Sequence, residues 1–319
     1  MKRISLGAAG LLFSLFSFTT SAGAASYDEG EYHLRLLNYN VKGLPGIAGG
    51  YRNGERFKQI GEEFRQMRKA GTAPQIVLLQ EAFVKKTNDI QKVSGYPHVV
   101  KGPSSKDADE NGKTKFKILN AGLITLSEYP IAYAEKVAFS KNMCGTWDCF
   151  ANKGVQVAYV EIPDLPFHLP VFNTHLQATR ERADVRIKQM GVMTRFIARF
   201  LRPGDPLMFG GDFNSRPDDA SYKWWTDNAG MVSTGETCLS GIVACEIADG
   251  TDPDSIVRVD QQYTVSGLAR DRRGSSARYK VRFDPVHVEK TFTKLVKGKP
   301  LSDHLGYQVD YVIRWTREI

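Results

Sequence analysis

The chain has 319 residues, 42% of them hydrophobic and 24% charged, with a formal charge of +8. That length and apolar share suffice for a sizeable core, as one large domain or two ordinary ones. Past the N-terminus no stretch is long and apolar enough to cross a bilayer, which excludes a helical membrane protein. The basic balance admits anionic partners such as phospholipid surfaces or nucleic acid, although charge alone selects neither.

Lys2 and Arg3 precede a mostly apolar run, Leu6–Phe18, and Ala22-Gly23-Ala24 follows as an A-x-A cleavage site. The run is too short for a span and reads as a secretory signal peptide, residues 1–24. Removing it leaves 25–319 as a single expected domain and lowers the charge from +8 to +6, because Lys2 and Arg3 are lost. The mature protein is expected to be secreted or periplasmic, and a monomer.

His33–Val41 (HLRLLNYNV) alternates and then runs apolar, a strand pattern ending at Asn40 before Gly43 and Pro45. Tyr51–Ala70 carries Phe57, Ile60, Phe64 and Met67 at helical spacing. Ile76–Leu79 is a continuous apolar strand with Glu81 just past its end. Lys101–Lys117 is polar and glycine-containing, and reads as a mobile surface loop. Asn120–Leu126 and Ile131–Ala138 read as neighbouring strands broken at Glu128-Tyr129-Pro130. Val155–Ile162 and Leu169–Thr174 are further strands, the second delivering His175. Arg180–Leu201 reads as a long helix buried along Val185, Met190, Met193, Phe196, Ile197 and Phe200. In Leu207–Pro217 (LMFGGDFNSRP) an apolar strand meets Gly210 and Gly211, where the backbone can turn tightly or approach a ligand. Asp212 and Asn214 would project the same way on extended backbone. Tyr222–Met231 looks helical, Cys238–Thr251 a loop, and Ile256–Val265 a strand carrying Asp260. Phe283–Leu295 contains a strand, Ser302-Asp303-His304 follows, and Tyr307–Trp315 closes the chain as a strand. Strands outnumber helices and the long helices sit between strands, which suggests mixed sheets with helices on their outer faces.

The four cysteines form two close pairs, Cys144/Cys149 and Cys238/Cys245. Four cysteines allow three connectivities. Export permits disulfides, and two local ones that stiffen loops are the expectation. Zinc is disfavoured, since the spacings are wrong and no histidine lies beside either pair.

Asn40, Glu81, His175, Asp212, Asn214, Asp260, Asp303 and His304 all fall at or beside strand ends. Singly, each has an ordinary explanation as a cap, a turn residue, a solvated charge or a hydrogen-bonded structural histidine. Together they contain what metal-assisted phosphodiester hydrolysis needs. Glu81, helped by Asn40, can hold Mg2+ through oxygen and leave positions for phosphate and water. His304 can take a proton from water if a carboxylate such as Asp260 fixes its tautomer. His175 and Asn214 can hydrogen-bond phosphate oxygens. No nucleophilic serine or cysteine motif is present, so direct attack by water is the simpler route.

NYNV at Asn38–Val41, LLQEAF around Glu81, NTHLQA around His175, GGDFN around Asp212 and SDH at Ser302–His304 stand in the order typical of the endonuclease/exonuclease/phosphatase superfamily. Over nearly the whole mature chain the sequence resembles it, and within it the bacterial neutral sphingomyelinases, to which THLQA and the Asn152-Lys153-Gly154 triplet are similar. The resemblance implies an α/β fold, a four-layer sandwich of two mixed β-sheets flanked by helices. It implies Mg2+ on Glu81, with Asn40 nearby, Asp303 as a further ligand, and Mn2+ or Co2+ as alternative metals. It implies His304 as general base and Asp260 as its acidic partner. Asp212 and Asn214 would orient water and phosphate, His175 would stabilise the transferring phosphate, and Asn152 and Lys153 would contact substrate. Two departures stand out. The family has D-Y-I/V where this chain has Asp260-Gln261-Gln262-Tyr263, and the exposed aromatic hairpin of haemolytic sphingomyelinases is absent before SDH.

The leading expectation is an exported Mg2+-dependent phosphodiesterase releasing ceramide and phosphocholine from sphingomyelin. The nearest rival is an exported nuclease of the same fold, with Arg270, Arg272, Arg273, Arg278, Lys280 and Arg282 as a phosphate-contacting strip. A non-catalytic, membrane-docking module is a third reading, and the full set of acids, amides and histidines argues against it.

Overall fold

The computed structural model describes residues 28–46, 53–114, 116–246 and 259–318. The expected signal peptide, the first two residues of the helix expected from Tyr51 and the start of the strand expected from Ile256 lie outside them. In chain order the elements are β1 (Glu29–Asn40), α1 (Asn53–Ala70), β2 (Ile76–Gln80), α2 (Asn88–Ser94), β3 (His98–Lys101), β4 (Ile124–Ser127), β5 (Ile131–Ala138), β6 (Gly154–Val160), β7 (Leu169–His175) and α3 (Ala183–Phe200). They continue with β8 (Leu207–Asp212), α4 (Ala220–Ala229), β9 (Val232–Ser233), α5 (Thr234–Leu239), β10 (Ala244–Cys245), β11 (Asp260–Val265), β12 (Gly267–Arg270), β13 (Arg278–Thr291) and β14 (Gly306–Arg317).

The strands form two mixed sheets. One runs β10-β13-β14-β1-β2-β4-β3 with β12 beside β13, and the other β5-β6-β7-β8-β11-β9. Period-two alternation decides what each face touches. Leu34 and Leu36 of β1, with Ile76 and Leu78 of β2, face Val171 and Met208 of the other sheet and fill the space between them. Leu37 and Tyr39 point the opposite way, under Phe57, Ile60 and Phe64 of α1. On the far side Phe172 and Phe209 meet Met190, Met193 and Phe196 of α3 and Trp225 of α4. The result is helix, sheet, sheet, helix, so the central strands are buried on both faces and read as nearly continuous apolar runs. No helix among the described residues is long and apolar enough to cross a membrane.

Both disulfides pair locally, as expected, Cys144 with Cys149 and Cys238 with Cys245. Cys238, however, lies in α5 and not in a loop.

Other local expectations are corrected by tertiary partners. Strands β4 and β5 are not neighbours: Glu128–Pro130 carries the chain from one sheet to the other. In the described part of the stretch 101–117, Asp107 meets Lys136 of β5 at 2.9 Å and Asp109 accepts from the backbone of Asn111 and Lys113. Gly210 and Gly211 make no turn, because β8 runs straight through them. A Cβ on Gly210 would sit 2.6 Å from Leu78 Cδ1, and one on Gly211 2.3 Å from the Thr174 carbonyl oxygen. The glycines let the two sheets, and β7 with β8, approach closely.

The basic segment Arg270–Arg282 forms the β12–β13 hairpin. Thr291, at the other end of β13, pairs with Gly306 near His304, whereas Tyr279 pairs with Arg317. A strand of that length spans ~40 Å, so the hairpin stands at the opposite end of the sandwich from His304. Three of its charges are also engaged: Arg272 donates to the carbonyls of Ile162 and Pro163, Arg273 pairs with Asp271, and Arg282 with Asp284.

Candidate active site

The face between the sheets changes character along its length. Stepping by twos, β1 reads Leu34, Leu36, Asn38, Asn40; β7 reads Leu169, Val171, Asn173, His175; β8 reads Met208, Gly210, Asp212. Each strand therefore turns from apolar to polar at the same end. Register makes those ends coincide: Asn40 lies opposite Gln80, His175 opposite Asp212, and Asp212 opposite Asp260. The β13–β14 connection adds Ser302–His304, whose Ser302 hydroxyl donates to the Asn40 carbonyl at 2.7 Å.

Asn40 Nδ2 donates to Glu81 Oε1 at 3.0 Å and to Asp212 Oδ2 at 2.9 Å, while its Oδ1 accepts from the Lys42 backbone N–H. A backbone N–H can only donate, so the amide orientation is fixed and the NH2 faces the carboxylates. Asp260 Oδ2 is 2.6 Å from His304 Nδ1, and His304 Nε2 is 4.0 Å from Asp212 Oδ2. Behind this pair Asn38 donates to Asp260 Oδ1 at 3.1 Å, and Gln80 donates to Asn38 and Asn173. Lys153 Nζ lies 3.1 Å from His175 Nε2 and donates to Asp148 at 2.8 Å and the Leu176 carbonyl at 2.7 Å. An ammonium can only donate, so His175 accepts at Nε2 and carries its proton on Nδ1, which is buried and has no hydrogen-bond partner among the described residues.

Backbone strain collects here. Lys42, Glu81 and Asn214, directly beyond or close after the ends of β1, β2 and β8, have φ of +46°, +54° and +48°. Such conformations are unfavourable for residues other than glycine and tend to mark functional sites. Asn214 is therefore not on extended backbone. Its N–H caps Asp212 Oδ1 at 2.9 Å and its amide donates to the Leu176 carbonyl at 3.2 Å.

The protonation states follow from burial and charge. Burial raises the Glu81 carboxyl pKa, opposed by the Asn40 hydrogen bond and reinforced by Asp212. Burial, then Asp260, pushes Asp212 up to about 6. Burial, then the Lys153 ammonium, drives His175 well below the usual histidine range, so it is neutral. His304 goes the other way: burial lowers it, but Asp260, through charge and hydrogen bond, and then Asp212 outweigh this and lift it to about 10.

Glu81, His175 and Asp212 each offer a ligand atom within 4.8 Å of one another, and so do Asp212, Asp260 and His304. The donors suit a hard divalent cation: Glu81 and Asp212 are close, mutually repelling carboxylates bridged by one amide, which a cation would relieve. Asp303 belongs to neither cluster, and its carboxylate holds Lys42 Nζ at 2.6 Å. Asn152 is turned away too, its amide donating to the carbonyls of Ser104 and Asp107.

The family model of the endonuclease/exonuclease/phosphatase family matches residues 37–304, from the middle of β1 to His304. The chain belongs to that family. Family members are hydrolytic phosphoesterases. Similar solved structures include sphingomyelinase C from Streptomyces griseocarneus, with 20% identity, 88% of this chain and 99% of that one covered, and a TM-score of 0.60. Beta toxin from Staphylococcus aureus follows with 19%, 86%, 99% and 0.59. A further beta toxin structure, with bound magnesium ions, gives 16%, 89%, 99% and 0.55. A humanized D. rerio TDP2 gives 17%, 88%, 98% and 0.56. No curated protein sequence matches the chain.

In this family member the support behind the site escaped sequence reading: Asn38, Gln80, Asn173, Asp148 and Lys42 had no assigned role. The available signal was a polar residue embedded in an apolar strand, two positions before a strand-end candidate. Asn38 tests its value. Replacing it by alanine takes the Asn38 donor from the buried Asp260 Oδ1 and leaves Gln80 only Asn173 and the Leu78 carbonyl as acceptors, at a cost of about 1–3 kcal/mol. Asn38→Ala is expected to lower the denaturation midpoint and reduce kcat more than it raises KM; an unchanged kcat would remove the positioning role.

Proposed function

We propose that the chain is an exported Mg2+-dependent phosphodiesterase that hydrolyses sphingomyelin to ceramide and phosphocholine by in-line attack of water. The observation that carries the reading is the Asp260–His304 pair, 2.6 Å apart and facing Asp212 across 4.0 Å. Asp260 accepts at Nδ1 and orients the ring, so Nε2 takes the proton of the attacking water. Asp212 and Asn214 position that water and the phosphate. Lys153, held by Asp148 and His175, provides positive charge for the phosphate oxygens, and His175 acts by orienting this ammonium. Glu81 and Asp212, aligned by Asn40, would hold Mg2+, or Mn2+ or Co2+ in its place. When bound, such an ion polarises the phosphoryl oxygen and offsets the charge that builds in the transition state. Asp303 orders Lys42 at the rim.

The lipid substrate is supported by the likeness to sphingomyelinase C and beta toxin across 99% of those chains. The nuclease alternative has TDP2 among its supports, but the arginine strip proposed for nucleic acid lies far from His304. The test is a panel: purified protein with Mg2+, offered sphingomyelin, phosphatidylcholine, duplex DNA and inositol phosphates. Phosphocholine release from sphingomyelin is expected; DNA cleavage with intact sphingomyelin would replace the lipid reading by the nuclease one.

A further inference from the structure

Large hydrophobic side chains gather in the open beside the site. Trp147 is 82% exposed, Phe116 78%, Ile118 65% and Phe150 44%. Single exposed apolar residues are ordinary, whereas a contiguous group marks an interaction surface. Here the group is contiguous. The Leu119 N–H donates to the Phe150 carbonyl at 2.9 Å, the Asn152 N–H to the Leu119 carbonyl at 3.0 Å, and Lys117 Nζ to the Cys149 carbonyl at 2.7 Å. Segments 116–120 and 146–152 thus lie side by side, and the Trp147 and Phe150 rings are 5.7 Å apart.

The surface is built to stay open. Cys144–Cys149 closes the loop, and Gly145 exchanges hydrogen bonds with the buried Gln177, two residues past His175. Thr146, a β-branched residue, adopts φ +53° and turns the chain so that Trp147 projects outward. Both flanks reach the reaction centre. Asp148, next to Trp147, holds Lys153, which contacts His175. Asn120 bonds the Phe83 carbonyl, and Gly122 accepts from Ala82, the residue after Glu81.

We infer that Phe116, Ile118, Trp147 and Phe150 form a lipid-docking surface that enters the interface of a phospholipid layer and brings the scissile phosphodiester level with the site. The inference rests on the phosphodiesterase reading above. A lipid phosphate lies at the boundary of an apolar layer, so an enzyme that reaches it needs apolar groups on the rim of its phosphate site, where these stand. Tryptophan, with an apolar body and one polar N–H, suits that boundary. The nearby charges agree. Lys113 and Lys141 are exposed on flanking segments, while Asp107 and Asp148 are tied to Lys136 and Lys153 and do not confront lipid phosphates.

The test uses the full protein in EDTA, so that lipid is bound without turnover, and unilamellar vesicles of sphingomyelin and phosphatidylcholine. Removing three inserted side chains in a Phe116→Ser, Ile118→Ser, Trp147→Ser variant is expected to weaken vesicle partition by about tenfold or more. Leu239→Ser with Ile242→Ser, exposed apolar positions outside the patch, is expected to bind as wild type. Brominated phosphatidylcholine is expected to quench part of the wild-type tryptophan emission, and Trp147→Phe to abolish that quenching, a readout that does not depend on the triple variant folding. With Mg2+, the ratio of vesicle to soluble bis(p-nitrophenyl) phosphate turnover should fall with the partition. Wild-type protein that does not bind vesicles, a triple variant that binds them undiminished, or a loss confined to oligonucleotide binding would overturn the docking surface. Vesicle binding through Trp147 without any phosphodiester cleavage would keep the surface and remove the catalytic reading.

Discussion

His304→Gln is expected to lower turnover by about 10²–10⁴-fold, the usual worth of a positioned general base, with the fold unchanged by circular dichroism. The side chain is only partly buried, and its structural contacts are few beyond Asp260, so the loss should fall on kcat. The ring must be neutral to accept a proton. Its pKa is lifted to about 10 without metal, so activity should climb with pH as the imidazolium deprotonates. Asp260→Asn removes the carboxylate that favours imidazolium. The acid limb should therefore move to lower pH, while the maximal rate falls because the ring is less well oriented. Stability carries the same sign. A pKa raised on folding stabilises fully below the unfolded value, ~6.5, and the contribution is lost as pH rises through about 10. In EDTA, wild-type stability should thus decline over that window more steeply than that of Asp260→Asn. An acid limb that survives in His304→Gln and disappears in His175→Gln would reverse the two histidines.

Most of this arrangement was legible where a local pattern determines it. The alternation of His33–Val41 and the fully apolar Ile76–Leu79 announced strands of the central layers, and Ile131–Ala138 was read with the bounds the structure gives. Polar residues at strand ends pointed to the end of the sandwich where they converge. What could not be read depends on partners distant in sequence. Glu128–Pro130 looks the same whether the next strand joins the same sheet or the facing one. Gly210 and Gly211 look like a turn until Leu78 and the Thr174 carbonyl are seen against them. Asn214 appeared to share a face with Asp212 only on the assumption of extended backbone, which φ of +48° breaks. Lys153 was read as a substrate contact, but its place between Asp148 and His175 arises from the antiparallel register of β6 with β7, set by many residues at once. The basic run Arg270–Arg282 is the counterpart on the surface: composition alone invited a phosphate strip, and topology carried it to the far end.

Glu81→Ala is expected to abolish the response to divalent cations. In the wild type the half-buried Glu81 and the buried Asp212 repel one another and share a single amide from Asn40, so a bound cation should stabilise the fold by RT ln(1 + [L]/Kd). Mg2+ should therefore raise the wild-type melting temperature in a concentration-dependent way and leave Glu81→Ala unmoved. Without Mg2+ the variant should melt at or above the wild-type temperature, because removing one of two repelling carboxylates relieves Asp212. Turnover should fall by about 10²–10³-fold, since cation assistance is worth several kcal/mol and each 1.36 kcal/mol is tenfold. The same electrostatics reach His304. Added positive charge near Asp212 disfavours imidazolium, so an NMR titration should find the His304 pKa lower with Mg2+ than in EDTA, and equal in the two for Glu81→Ala. Full wild-type activity in EDTA, or a Mg2+ stabilisation that persists in Glu81→Ala, would take the metal away from this cluster.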